Sequence, residues 1–322
     1  MKKLIVLATL AALPAAAMAD VVISGNLAVG IVNTKESGKG SLTTENRTSG
    51  ELKFAGKEDL GNGLKSIWQI ATKIDLADTQ ANASKPNTSN SWASRDSFVG
   101  LQGDFGTVTL GNIYHMPTSG ALAVFEDISA TTESAIYDQG TRVNNTVSYK
   151  SPAVAGFTAV VQHSFGSSTT KEENKEHQQA VSLAYEGEGF GVSYDGSRFK
   201  NATLDKTAKL HELNANVSLD ALNLVAGYAN KKEANGDKRS GYGLSATYAM
   251  GNLKPMLGYW KEGDKKEADG DKVNDGHKAY AIGAEYALSK RTRAGAQITK
   301  VNYDDNAKGS LRKAMVYLGT KF

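Results

Sequence analysis

The sequence contains no cysteine, so neither a disulfide framework nor a thiolate site can organise an exported chain of this length. It has only five prolines, which leaves long stretches free to enter hydrogen-bonded ladders. No apolar run reaches the roughly 18 residues that a spanning helix needs; the run at residues 4–13 is too short. A surplus of one charge is lacking as well, with 37 Lys and Arg against 34 Asp and Glu, so no basic excess marks a nucleic-acid binder. Catalytic motifs are equally scarce. His115, His163, His177, His211 and His277 lie in five different segments with no His-Glu-x-x-His pair, and no carboxylates cluster at metal spacing. Gly241-Tyr-Gly243 lacks the third glycine and the following helix of a nucleotide fingerprint. The expectation is a protein with no cofactor, no metal and no catalysed reaction.

What is present begins with a leader. Lys2 and Lys3, the apolar run and Ala17-Met18-Ala19 form the basic, apolar and small-residue parts of a secretory signal peptide over residues 1–19. The mature domain is then residues 20–322. Thirty-three glycines and thirteen tyrosines accompany a mean hydropathy of -0.38, polar for a membrane protein, but a β-barrel exposes only alternate residues to lipid.

Alternation runs through the mature chain. At residues 22–31, Ile23, Leu27, Val29 and Ile31 share one face; at 65–76, Trp68, Ile70, Ile74 and Leu76 oppose Lys65, Gln69, Lys73 and Asp75. Sixteen such segments follow one another, with strands expected at 92–101 and 107–112 and a polar loop at 33–48. Connections alternate between tight turns, such as Asp59-Leu-Gly-Asn-Gly63, and longer charged loops such as 262–276. Tight turns at one end and long loops at the other, with Tyr near strand ends (Tyr185, Tyr194, Tyr242, Tyr280), fit an all-β, 16-stranded antiparallel transmembrane β-barrel. A soluble sandwich has no reason for that asymmetry.

One connection stands apart. Residues 112–141 form the longest, without alternation, and carry Glu126, Asp127, Glu133 and Asp138 but no Lys or Arg. A structureless connection of this length inside a compact domain has a function as a rule. We expect it to bring negative charge into a pore. Strand parity nominates the facing basic wall as Lys53, Lys65, Lys73, Arg95 and Arg142, with Lys313 and Lys321 nearer strand ends.

At Glu58-Asp-Leu-Gly-Asn-Gly-Leu-Lys65, Arg95-Asp-Ser-Phe-Val-Gly-Leu-Gln-Gly-Asp-Phe-Gly106 and the terminal Phe322, the chain resembles the general-diffusion porins of β-proteobacteria, especially the neisserial type. The resemblance implies a homotrimer in the cell outer membrane, among outer-membrane lipid and lipopolysaccharide, passing ions and small hydrophilic solutes. It implies that 112–141 is a third external loop folded inward, and that Phe322 belongs to the signal read by the barrel-assembly machinery. The chain departs from the family at 107–112, Thr-Val-Thr-Leu-Gly-Asn, where neisserial members often carry basic residues; this argues against strong anion selectivity. Two alternatives stay open: a surface adhesin or structural barrel whose loops bind partners, and a channel with a preferred solute.

Overall fold

The computed structural model describes residues 21–40, 42–76, 92–114, 124–125, 142–165, 177–201, 204–305 and 308–322. Its first nine strands are β1 (Val22–Glu36), β2 (Leu42–Gly61), β3 (Leu64–Lys73), β4 (Ser97–Gly103), β5 (Gly106–Tyr114), β6 (Arg142–Lys150), β7 (Phe157–Ser164), β8 (Gln178–Gly187) and β9 (Phe190–Asn201). The remainder are β10 (Lys206–Leu219), β11 (Leu222–Lys232), β12 (Lys238–Tyr248), β13 (Leu253–Glu262), β14 (Lys265–Lys266), β15 (Lys272–Val273), β16 (His277–Ala287), β17 (Thr292–Tyr303) and β18 (Ser310–Lys321). The two-residue strands β14 and β15 make a small hairpin within the connection from β13 to β16. The other sixteen pair antiparallel with their neighbours in sequence. The ring closes where β18 meets β1, with Asn26 opposite Lys321 and Glu36 opposite Leu311. Closure leaves no strand edge to be satisfied in lipid.

The faces are inverted relative to a soluble protein. Leu213, Leu244, Leu257, Ile282, Ile298 and Val316 point outward, each at least half exposed. Thr146, Gln162, Ser164, Asp195, Glu212 and Gln297 are buried on the inward face. Exposed apolar area on this scale calls for a non-aqueous surround, and the polar interior suits a water-filled lumen.

Tight turns follow from local chemistry. Between β2 and β3, Asn62 (φ 53°) and Gly63 (φ 78°) take the two left-handed positions of a hairpin turn. Gly106 (φ 108°) opens β5 where a Cβ would meet the Lys150 carbonyl at 2.3 Å.

Three boundaries differ from the sequence expectation. β1 and β2 stay paired up to Lys35 and Leu42, across most of the stretch read as a polar loop. Beyond the lipid belt both faces are wet, so apolar alternation ends while the backbone ladder continues. β4 begins at Ser97 rather than residue 92 because side chains intervene: Ser97 Oγ accepts from Ala71 N (3.0 Å) and Ser94 Oγ accepts from Lys73 N (2.9 Å). Local hydroxyl bonds of this kind compete with the ladder. Arg95 therefore precedes its strand.

Candidate functional site

The inward face of β2 sets Glu51 and Lys53 two residues apart, Nζ to Oε1 3.3 Å, and places Glu51 opposite Lys73 on β3. Arg95 approaches the same carboxylate, Nε to Oε2 4.0 Å. Its backbone is held from several sides. Its N–H donates to the Ala71 carbonyl (2.9 Å), while its own carbonyl accepts from Ser97 Oγ (3.0 Å) and Asn112 Nδ2 (3.0 Å). Asn112 occupies a bulge where β5 offers one residue against Asn144 and Asn145 of β6, and Asn145 takes a left-handed φ of 52°.

Just beyond that bulge, Arg142 donates Nε to Asp96 Oδ1 at 3.0 Å and lies 4.8 Å from the centre of the Tyr114 ring. The positive charge of Arg142 acts directly on the Arg95 guanidinium, so the two cations share one patch. Lys53, Lys73, Arg95 and Arg142 against Glu51 and Asp96 leave this wall with a positive surplus.

Directly across the ring is an apolar seat. Phe125, from the connection after β5, is buried with Met256, Trp260, Ala279, Ala281 and Val301. β13, which supplies Met256 and Trp260, stands eight strands from β5 in either direction round the sixteen. Gly258 makes room for the ring: a Cβ there would lie 2.6 Å from Phe125 Cε2. On the neighbouring wall, Asp195 of β9 and Glu212 of β10 are direct cross-strand partners, both buried; Asp195 accepts from Ser193 Oγ at 3.1 Å.

The long-loop end has its own ion-pair clasp. Arg239 at the start of β12 reaches Glu262 (2.9 Å) and Asp275, and Asp275 also accepts from the Lys265 N–H at 2.8 Å. This ties the charged run 262–276, read from sequence as a long loop, to the start of β12, where β14 also pairs. Burial works to raise the Asp275 carboxyl, but the Lys265 N–H and Arg239 outweigh it and hold it below the usual carboxylate range. A depressed folded pKa gives stability that is complete above the unfolded value of about 3.9 and lost as pH falls through the folded one. Protease nicking within 263–276 is therefore expected to rise only below about pH 4, and Asp275→Asn is expected to show the same nicking at neutral pH.

The sequence-derived candidates are distributed as follows. Lys53, Lys73, Arg95 and Arg142 gather on one wall. Lys65 does not join them: it pairs with Asp59 and Gln102 beside the β2–β3 turn, about 26 Å along the strand from Lys73 at the usual rise per residue. Phe322 completes the seam, exchanging backbone hydrogen bonds of 3.0 Å with Gly25. Glu126, Asp127, Glu133 and Asp138 lie outside the described residues. Glu51 shares the inward parity of Lys53 in the sequence, a signal that could have shown partial neutralisation of the wall; Asp96, Tyr114 and Phe125 carry no such signal. His163 and His177, distant in sequence, come within 6.3 Å ring to ring, and among the described residues no group of three metal-ligating side chains surrounds them.

A family model described as Gram-negative porin matches residues 5–306. The major outer membrane protein P.IB of Neisseria meningitidis serogroup B is 30% identical, with 91% of each chain covered. Among solved structures, an anion-selective porin from Comamonas acidovorans superposes with a TM-score of 0.75 at 23% identity, over 94% of this chain and 100% of the other. OmpT of Vibrio cholerae in a trimer form gives 0.68 at 11% identity, over 94% and 99%. With its closed sixteen-stranded ring, inverted faces and charged lumen, the chain belongs to the Gram-negative porin family and is an outer-membrane channel for passive diffusion.

Proposed function

We propose that passage through this channel is set where the wall of Lys53, Lys73, Arg95 and Arg142 faces the acids of the connection after β5, and that the working unit is a homotrimer with no catalytic activity. The observation that carries the constriction is the position of Phe125. Phe125 lies against inward residues of β13, diametrically opposite β5, and the eleven residues from Tyr114 span at most about 40 Å; these two end points support a connection that passes across the lumen. Glu126 and Asp127 follow Phe125 directly in sequence, which supports assigning their carboxylates to the charge that faces those bases. Opposed charge at a narrow point, between low-dielectric walls, sorts ions by sign. The wall keeps two acids of its own, and the loop adds four, so the net preference is weak.

The trimer reading rests on the outer surface. At the long-loop end, outward positions on β2, β3 and β5 are uncharged, among them Thr44, Asn46, Thr48, Thr72 and Leu110, an arc suited to a sister barrel. The paired backbone hydrogen bonds between Phe322 and Gly25 at the seam support assigning Phe322 to the assembly signal. Single-channel recording in a planar bilayer under a salt gradient tests the whole reading: conductance steps in threes and a reversal potential near zero are expected. Folded protein without conductance would favour a structural or adhesive barrel instead.

A further inference from the structure

We infer that Asn112 is a positioning residue of the pore: it brings no charge of its own, yet it fixes where Arg95 and Arg142 present theirs. The inference rests on the charged wall proposed above. It starts from a gap in the ladder. Residues 92–96, which carry Arg95 and Asp96, lie between β3 and β4 and belong to neither strand, so their carbonyls need donors from elsewhere. Two amide side chains supply them from the strands on either side. Asn112 of β5 donates Nδ2 to the carbonyls of Ala93 (2.9 Å) and Arg95 (3.0 Å), and Gln69 of β3 donates Nε2 to that of Asp96 (2.7 Å). Both partners of Asn112 are acceptors, which settles which amide atom faces them. The backbone is bent to bring those two carbonyls together: Ala93 stands at a left-handed φ of 56°, a conformation that has to be held in a residue with a Cβ.

The arginine heads inherit this placement. Among the described residues Arg95 Nε is buried without a hydrogen bond, and its 4.0 Å from Glu51 Oε2 is too long for one. The guanidinium therefore goes where its backbone carries it. Arg142 is fixed through Asp96, Nε to Oδ1 3.0 Å, and Asp96 belongs to the same held segment. Like charge works to drive the two cations apart. Asn112 resists this from a fixed base, because the bulge behind it is locked by hydroxyls: Thr146 Oγ1 donates to the Val143 carbonyl (2.8 Å) and Ser164 Oγ to that of Asn144 (2.9 Å), and both residues are buried. Without the Asn112 amide, the carbonyls of Ala93 and Arg95 turn to water, the two guanidinium groups spread, and the positive field along the ion path weakens.

Reversal potential in a potassium chloride gradient tests this, with Asn112→Leu as the probe, since leucine has a similar shape and no donor. The permeability ratio is expected to move several-fold toward cations, as a fraction of the shift given by Arg95→Gln with Arg142→Gln. Added to that double variant, Asn112→Leu is expected to change nothing, because no charge is left to position. Asn112→Ser, which keeps one donor, should fall between the native channel and Asn112→Leu. An equal shift in both backgrounds would mean that Asn112 acts on pore width and not through the arginines, and would overturn the proposal. A native potential in Asn112→Leu would overturn it as well while leaving the wall standing, whereas a native potential in the double arginine variant would remove the wall and the proposal with it. Heat-modifiable migration marks each variant as folded. If Asn112→Leu fails that mark, Gln69→Leu, which frees the Asp96 carbonyl alone, carries the same comparison.

Discussion

Replacing Lys53 and Arg95 together by glutamate is expected to convert the channel to strong cation selectivity. The change amounts to four elementary charges on a wall where Glu51 and Asp96 already lie within 4.0 Å of its bases. An ion passing at about 10 Å, through a mixed medium of effective dielectric constant about 40, feels roughly 0.8 kcal/mol per unit charge before screening. Salt at 0.1 M, with a Debye length of about 10 Å, reduces the sum of the four by more than half. What remains is on the order of 1.4 kcal/mol in favour of a cation and as much against an anion, so the permeability ratio shifts by about a hundredfold. Reversal potential in a potassium chloride gradient reads it directly. An unchanged potential would remove this wall from the narrowest point. Neutralising Glu126 and Asp127 should move the potential the opposite way.

The second large effect concerns Phe125. Truncating a fully packed phenylalanine costs about 3–5 kcal/mol, and here the loss falls on the anchor of one connection while the strand ladder stays whole. Since every 1.4 kcal/mol is a factor of ten, Phe125→Ala is expected to shift the seated-to-unseated ratio by about two to three orders of magnitude. The record should become noisy, with conductance raised above the native level. Gly258→Val reaches the same end from the opposite wall, because its Cβ would fall 2.6 Å from the ring. Quiet native-like channels from both variants would mean that the connection is held by something other than this seat.

Much of the architecture was legible because lipid imposes a two-residue period and water on both sides imposes none. Sixteen strands, their order and the inward parity of Lys53 and Lys73 follow from that period alone. It fails where its cause stops. The polar ends of β1 and β2 pair without alternation, and the approach to Arg95 is ruled by Ser94, Ser97 and Asn112, whose side-chain bonds leave no period to read. Parity likewise gives a face but no height, which is why Lys65 was grouped with residues at the far end of its own strand. Glu51 stood in plain sight two positions before Lys53, yet its contact with Arg95 depends on a fold of the chain across 44 residues. Phe125 was one of three aromatics in the acidic stretch 112–141, with Tyr114 and Tyr137, and no local pattern names the glycine that receives it.

The seam between β18 and β1 bears on how the barrel comes to exist. Every other long strand meets its predecessor in sequence, so the chain collapses readily as a string of local hairpins. The seam instead joins Asn26 to Lys321, a contact between strands at opposite ends of the barrel sequence, and such contacts form slowly because their entropy cost comes first. Ring formation is thus the slow event, and its reversal requires eleven register pairs to part before any strand is freed. Durability of the finished barrel is then a matter of the rate at which that seam reopens, more than of the free-energy difference between closed and open chains.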